Sequence, residues 1–195
     1  MSDDLLCQRV GDPTRGHYVS THSGTKFYPM DPRPEDIHLE DIAYGLSNTV
    51  RFGGQTDRFL SVAEHSILVA YKVIEGGIHD YNVVLWALLH DAAEAYIGDM
   101  PRPLKRMIPE FETIERGIIT AIARRFDLSP AMPDIVKAID RDICAAEAKQ
   151  AWFHPPEWVD QFPAMEIPAL RFKDPNDILA DYFSFVTLAI AERAK

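Results

Sequence analysis

Two imidazoles and three carboxylates along the chain are of the types that bind a divalent metal and work beside it. His65 comes first, the dipeptide His90-Asp91 and then Glu94 follow within one short stretch, and Asp140 lies further on. Mixed imidazole and carboxylate ligation suits Mn, Fe, Co, Ni or Zn, so the ligand types do not select one metal. Two histidines and two aspartates would complete one site, and Glu94 would remain beside it to act on water.

The stretch that carries His90 is predicted to form one helix over residues 81 to 98. Residues 83 to 89 are apolar all round, which is typical of a helix in the middle of a fold. In such a helix His90 and Glu94 share a face, and Asp91 and Glu94 are also neighbours. Buried imidazoles and carboxylates need partners, and a metal ion is one such partner.

The last ligand position has two candidates, Asp140 and Asp142, on a helix predicted over residues 135 to 152. At about 100° per residue, Asp140 falls within the apolar arc, between Val136 and Cys144, whereas Asp142 falls at its polar edge. An inward carboxylate needs a partner, which favours Asp140 as the ligand. A structural salt bridge between Asp140 and an arginine is the alternative.

The sequence Ser61-Val62-Ala63-Glu64 is a capping box, which predicts a helix that begins near Ser61 and ends at Gly76-Gly77. In this motif the serine side chain accepts a hydrogen bond from the third helical N–H, and the glutamate side chain reaches back. His65 would then lie in the first turns of the helix. A lone histidine in this position usually caps a helix or is satisfied in the core, so the metal interpretation depends on the whole set.

The other segments predict a predominantly helical single domain with a small N-terminal hairpin. Residues 17–21 and 25–28 are rich in strand formers and flank a turn at His22-Ser23-Gly24. The tract from 153 to 172 contains four prolines and is expected to be irregular. Further helices are predicted at residues 39–46, 111–126 and 174–193.

Length and composition exclude several classes of protein. A chain of 195 residues with 47% hydrophobic residues fits one domain with a real core. The net charge of −10 argues against binding a nucleic-acid polymer, which needs a basic surface. No apolar run reaches the length of about 18 residues that a membrane span needs. The start Met1-Ser2-Asp3-Asp4 lacks a signal-peptide pattern, and the two cysteines, Cys7 and Cys144, are too few for a disulfide framework, so we expect a cytoplasmic compartment.

Four motifs between about residues 49 and 147 carry a resemblance to a known family. They are Ser61-Val62-Ala63-Glu64-His65-Ser66, His90-Asp91-Ala92-Ala93-Glu94, Gly98-Asp99-Met100-Pro101-Arg102-Pro103-Leu104-Lys105, and Asp140 with Glu147 seven residues on. This ordered set resembles the HD-domain phosphohydrolase superfamily, and more closely its 5′-deoxynucleotidase-like branch. The N-terminal hairpin and the C-terminal third lie outside the match.

The resemblance implies an all-α helical bundle of the HD-domain type over residues 1–195, with one divalent metal. Glu94 would orient or deprotonate the attacking water, and Asp99 would help with the water or the leaving group. Arg51 resembles the phosphate-holding arginine of the family, and Lys105 is a second candidate for that task. The metal ligands implied by the resemblance are His65, His90, Asp91 and Asp140.

By the same resemblance, we expect hydrolysis of a deoxyribonucleoside 5′-monophosphate to nucleoside and phosphate. A close variant is cleavage of a deoxynucleoside triphosphate to nucleoside and triphosphate. A di-iron oxygenase would need further ligands, for which only His79 and His154 are spare, and a non-catalytic metal- or nucleotide-sensing domain would have no use for Glu94.

The expected partner is a small nucleotide. The branch that the chain resembles often forms dimers, so a homodimer is a further expectation. An apolar surface for that contact could come from four aromatic residues, unless these pack on their own domain: Trp152, Phe153, Trp158 and Phe162.

Overall fold

Helices dominate the computed structural model of the protein, which describes residues 11–195. The expectations that concern Met1 to Asp4 and Cys7 fall outside these residues. The predicted all-α class is confirmed, and the helices form one predominantly helical domain. Their bounds are α1 (Leu39–Asn48), α2 (Val62–Glu75), α3 (Tyr81–Leu89), α4 (Glu94–Ile97), α5 (Arg102–Lys105), α6 (Pro109–Arg125), α7 (Asp134–Ala151) and α8 (Pro175–Arg193). Three 3₁₀ turns lie at Pro34–Asp36, Arg51–Gly54 and Glu157–Gln161.

Two small antiparallel hairpins precede the helices. β3 (Val19–Ser20) pairs with β4 (Lys26–Phe27) across the predicted turn, with Val19 opposite Phe27. An additional hairpin of β1 (Gly11–Asp12) and β2 (Gly16–His17) was not predicted. Phe27 is fully buried and stacks on Tyr96 with ring centroids 3.9 Å apart, which fixes the second hairpin to the helical core.

Helix α3 lies at the centre of the fold, as its apolar sequence predicted. Its residues from Val84 to Leu89 are buried, and the helix packs against α2 and α8. Tyr182 of α8 donates a hydrogen bond of 2.6 Å to the carbonyl oxygen of Leu88, so the polar end of this buried ring is satisfied. The segment that carries His90 is therefore held from several sides.

The prediction of one continuous helix over residues 81 to 98 is wrong in its middle. Helix α3 ends at Leu89 and α4 begins at Glu94. Between them the N–H of Ala92 donates to the oxygen of Leu89, and the N–H of Glu94 donates to that of Asp91. These are i to i+3 bonds, which tighten the turn and change the direction of the side chains that follow. Gly98, at φ 76°, ends α4 as expected.

A close approach between two helices holds α4 in place. A Cβ atom added to Gly45 of α1 would lie 2.7 Å from the Cβ of Ala95 and 2.8 Å from its carbonyl oxygen. Only glycine fits at that distance, so the backbones of α1 and α4 touch directly. This contact positions the residue next to Ala95, which is Glu94.

The capping box at α2 is half formed. The Ser61 side chain accepts from the N–H of Glu64 at 3.1 Å, as predicted. The Glu64 carboxylate does not reach back, and instead accepts from the backbone N–H groups of Arg171, Phe172 and Lys173 at 2.9, 3.2 and 3.4 Å. Three hydrogen bonds stabilise this carboxylate more than a single capping bond would. They also connect the C-terminal tract to α2.

The tract from 153 to 172 is irregular, as predicted, apart from the 3₁₀ turn Glu157–Gln161. Trp152, Trp158 and Phe162 pack on a small apolar cluster of the same chain, whereas Phe153 is 67% exposed. The predicted dimer surface is therefore mostly used within the domain. Among the residues described, no helix is long and apolar enough to cross a membrane.

Replacement of Glu64 by alanine is expected to lower the free energy of unfolding by about 2 kcal/mol, because three backbone N–H groups lose their acceptor. Urea unfolding followed by circular dichroism measures this change. Glu75→Ala is the matched control on the same helix, since its side chain is 68% exposed and paired only with Lys72, and it should change stability by less than about 0.5 kcal/mol. Equal effects of the two substitutions would contradict this view of Glu64.

Candidate metal centre

Four side chains from three separate elements converge on one point. His65 comes from the first turns of α2, His90 and Asp91 from the tight turn after α3, and Asp140 from α7. Each offers one ligand atom, and these atoms all lie within 4.8 Å of one another, so the group could hold a metal ion. Asp142, the rejected alternative, points elsewhere and pairs with Arg141 at 2.8 Å.

The distances between the ligand atoms fit a first-row metal. Nε2 of His65 lies 3.1 Å from Nε2 of His90 and 3.1 Å from Oδ1 of Asp140. Nε2 of His90 lies 3.2 Å from Oδ2 of Asp91. Metal–ligand bonds of about 2.1 Å place neighbouring ligand atoms about 3 to 3.4 Å apart, which these three distances match. Two further pairs are wider, with Oδ2 of Asp91 at 3.6 Å from Nε2 of His65 and Oδ1 of Asp140 at 3.8 Å from Nε2 of His90, so the carboxylates would move closer when a metal binds.

Hydrogen bonds at the far side of each ring determine the tautomer of both histidines. Nδ1 of His65 lies 2.8 Å from Oε1 of Glu147, and Nδ1 of His90 lies 2.8 Å from the carbonyl oxygen of Ala87. A carbonyl oxygen only accepts, and so does an ionised carboxylate, so each Nδ1 carries the proton. In the neutral form of each ring, Nε2 then presents a lone pair to the common point, which is the arrangement typical of metal-binding histidines.

The electrostatics of the site favour a positive charge at its centre. Burial opposes the charged form of His90, but Asp91 and Asp140 outweigh it and raise the pKa of His90 well above its usual value. Burial also raises the pKa of Asp91, but the His90 imidazole lowers it to about 2. Burial acts against ionisation of Asp140, yet His65 and His90 hold its pKa well below the usual range. Both carboxylates are thus ionised at neutral pH and available as ligands.

Arg51 lies directly beside this cluster. It is buried, with Nη2 at 3.1 Å from Oε2 of Glu147 and Nη1 at 3.7 Å from Oδ2 of Asp91. The backbone N–H of Arg51 donates to the carbonyl oxygen of Leu60 at 2.9 Å, which connects Arg51 to the start of α2. The sequence singled out Arg51, and the structure brings its guanidinium next to the predicted ligands.

The turn after Arg51 is strained and is held by Asp99. Phe52 has φ 57° and ψ 29°, and Gly53 adopts a similar left-handed conformation. Such a conformation at a residue other than glycine costs about 1 kcal/mol or more. The N–H of Phe52 donates to Oδ2 of Asp99 at 3.1 Å, so Asp99 contacts the turn that presents Arg51. Burial raises the pKa of Asp99, while Arg51 opposes that rise.

Glu94 is a buried carboxylate with spare bonding capacity. It is 7% exposed, and its Oε2 has no hydrogen-bond partner within residues 11–195. Burial raises the pKa of Glu94 well above its usual value, and the charges of Asp91 and Asp99 add to this rise. A cation at the predicted site would favour the ionised form, which can accept a proton from water.

Lys105 stands apart from the other predicted residues. Its ammonium on α5 pairs with Glu115 of α6, and its side chain is 27% exposed. Burial lowers the pKa of Lys105, but the hydrogen bond to Glu115 outweighs this, and Glu94 and Asp91 also raise it. The ammonium of Lys105 therefore pairs directly with Glu115 and is also attracted by the charges of Glu94 and Asp91.

Sequence reasoning missed the supporting contacts of Glu147 and Glu115. The inward position of Glu147, seven residues after Asp140, was the available signal for the first. Nothing in the local sequence indicated that Glu115 would pair with Lys105.

Substitution of Asp140 by alanine is expected to weaken Mn²⁺ binding by at least about tenfold, because a ligand is lost. Isothermal titration calorimetry on the purified chain measures the affinity. Asp142→Ala removes the same side chain two residues away, and should bind Mn²⁺ like the unaltered protein. If Asp142→Ala weakened binding as much as Asp140→Ala, the assignment of Asp140 would be wrong.

Mn²⁺ affinity is expected to rise with pH across the neutral range. Burial and Arg51 lower the pKa of His65, but Glu147 and Asp140 outweigh them and raise it above 6.5. Protonation of the imidazole pair therefore persists to higher pH than usual, and the proton competes with the metal for Nε2. The protonated rings stabilise the metal-free protein below pH 6.5, and that contribution is lost as the pH rises through the raised pKa values. Titrations at several pH values, in buffers that differ in ionisation enthalpy, should show proton release, and a constant affinity would contradict this.

Comparison with known proteins gives two similar chains that cover most of this one. YfdR of Escherichia coli K12, an uncharacterized protein, is 37% identical over 132 residues, which are 68% of this chain and 71% of YfdR. The uncharacterized protein RCAP_rcc00048 of Rhodobacter capsulatus is 39% identical over 137 residues, 66% of this chain and 69% of that protein. No family model matches the chain.

A more distant similarity concerns proteins with a stated activity. The 5′-deoxynucleotidase ECA3034 of Pectobacterium atrosepticum is 33% identical over 70 residues, which are 29% of this chain and 35% of that protein. This likeness covers a minor part of both chains. The extent of the two larger matches shows that the chain belongs to one family with YfdR and RCAP_rcc00048.

Proposed function

We propose that the protein is a metal-dependent phosphohydrolase of the HD-domain type that acts on nucleotides, with deoxyribonucleoside 5′-monophosphates as substrates. The observation that carries the proposal is the convergence of His65, His90, Asp91 and Asp140 within 4.8 Å beside a buried arginine. Glu94, a carboxylate with an unpartnered oxygen, lies one turn from the ligand Asp91. A site that served only to stabilise the fold would need neither of these two groups.

The side chains around the site suit phosphoryl transfer to water. A divalent metal, when bound, supplies an activated water and compensates the charge of a phosphate oxygen. Arg51 offers a planar pair of N–H donors that match two phosphate oxygens, which a lysine would not replace. Glu94 takes or directs the proton of the attacking water. Asp99 keeps the Arg51 turn in position through Phe52, and its charge also raises the pKa of Glu94.

The choice of nucleotide rests on the relatives. The distant similarity to a 5′-deoxynucleotidase supports a nucleoside monophosphate, and its short extent leaves the base and the sugar to experiment. The net charge of −10 argues against a nucleic-acid polymer, whereas a small phosphate could be held locally by a bound metal and Arg51. His79 and His154 do not belong to the group of candidate ligands in the described part of the chain, so no observation favours a di-iron oxygenase.

A phosphate-release screen tests the proposal. The Mn²⁺-loaded protein, and parallel samples with Co²⁺ or Zn²⁺, are incubated with deoxyribonucleoside mono- and triphosphates, and products are separated by chromatography. Free orthophosphate from the monophosphates is the expected result. Intact triphosphate would indicate the triphosphohydrolase variant, and no product from any nucleotide with any of the metals would contradict both.

Glu94→Gln is expected to lower kcat by about 100-fold or more while Mn²⁺ affinity changes little, because the amide cannot accept the proton of water. Steady-state kinetics and calorimetry on the same sample separate the two effects. The exposed Glu112 provides the matched control, and Glu112→Gln should retain full activity. A Glu94→Gln enzyme with normal kcat would remove Glu94 from the mechanism.

A further inference from the structure

We infer that Glu147 is a positioning residue that couples metal binding to phosphate binding, because one carboxylate holds both the ligand His65 and the arginine Arg51. This inference rests on the proposed function, in which Arg51 contacts a phosphate. Glu147 lies on α7 two turns beyond Asp140, and its side chain is fully buried. Its two carboxylate oxygens face different groups, with the ligand His65 on one side and Arg51 on the other.

The two oxygens of Glu147 have separate partners. Oε1 lies 2.8 Å from Nδ1 of His65, and Oε2 lies 3.1 Å from Nη2 of Arg51. The first contact keeps the proton on Nδ1 and leaves Nε2 free to bind metal. The second contact is an ion pair that holds the guanidinium by charge, since neither Oε2 of Glu147 nor Nε of Arg51 has a hydrogen-bond partner within the described residues. A single rigid group therefore determines the position of a metal ligand and of a phosphate donor.

Only a carboxylate can satisfy both partners at once. In Glu147→Gln the amide oxygen can face either His65 or Arg51, and the amide NH₂ must face the other. If the NH₂ faces Arg51, two donors meet and the guanidinium is displaced. If the NH₂ faces His65, Nδ1 must become an acceptor, so Nε2 carries the proton and cannot bind metal. Glutamine at this position should therefore damage one function or the other.

The formal charges around Glu147 also couple metal binding to phosphate binding. Asp91, Asp140 and Glu147 carry three negative charges and Arg51 carries one positive charge, which leaves a total that one divalent cation neutralises. Arg51 also lies 3.7 Å from Oδ2 of the ligand Asp91. Without Glu147, the buried guanidinium would keep Asp91 as its carboxylate within 4 Å among the described residues and would compete with the metal for it.

A double-mutant cycle between Glu147 and Arg51 tests the inference, with Mn²⁺ and inorganic phosphate as probes. Glu147→Ala should weaken Mn²⁺ binding by about 10- to 100-fold. Arg51→Ala in that background should recover part of the Mn²⁺ affinity, since the competing charge is gone. For phosphate binding to the Mn²⁺-loaded chain, Arg51→Ala should cause a clear loss on its own and no further loss when Glu147 is already alanine.

Two further variants separate positioning from stability. Glu64→Ala removes another buried carboxylate that faces away from the cluster, and it should leave Mn²⁺ affinity unchanged. Glu147→Gln keeps the side-chain volume and provides the same test if the alanine variant does not fold. Mn²⁺ and phosphate affinities of Glu147→Gln that both equal those of the unaltered protein would overturn the inference, as would equal effects of Arg51→Ala on Mn²⁺ in both backgrounds. An unaltered protein that bound Mn²⁺ but hydrolysed no nucleotide would contradict the proposed function alone, and the cycle would still decide the role of Glu147.

Discussion

Two buried imidazole rings face each other with their Nε2 atoms 3.1 Å apart, and each ring is held in this pose by a hydrogen bond at Nδ1. Two lone pairs at this distance repel unless a positive charge lies between them. The raised pKa values of His65 and His90 have the same origin, because a proton can supply that charge when a metal does not. The nearby carboxylates favour a cation at this point, and the arginine lies beside them.

The fold meets this requirement with elements that are distant in sequence. Helix α2 brings His65, the turn after α3 brings His90 and Asp91, and α7 brings Asp140. The apolar α3 is packed on several sides, so the turn at its end has little freedom. The direct contact of Gly45 with Ala95 then brings α4, and with it Glu94, against α1. The candidate site thus depends on packing contacts that involve none of its predicted ligands.

Much of this arrangement could be predicted from local sequence, and the remainder depends on contacts that local sequence does not record. The apolar period and the serine cap indicated α2 and α7 and separated Asp140 from Asp142. The break between Leu89 and Glu94 has no compositional sign, since alanines fit a 3₁₀ turn as readily as a helix. Glu147 meets His65 across 82 residues, and Glu64 meets Arg171 across 107. Such pairings follow from the packed fold and not from spacing.

The turn at Arg51 combines an unfavourable backbone conformation with the positioning of a candidate phosphate-binding side chain. The left-handed conformation of Phe52 is unfavourable in isolation, and the fold retains it because Asp99 accepts its N–H and Leu60 accepts that of Arg51. Relaxing the turn would move the guanidinium away from Glu147 and Asp91 and break both ion pairs, and the two carboxylates would keep their contacts with His65 and His90. Because breaking a buried ion pair costs more than one strained residue, the charges of the site keep the turn in place. The acidic cluster therefore positions its own phosphate-binding candidate.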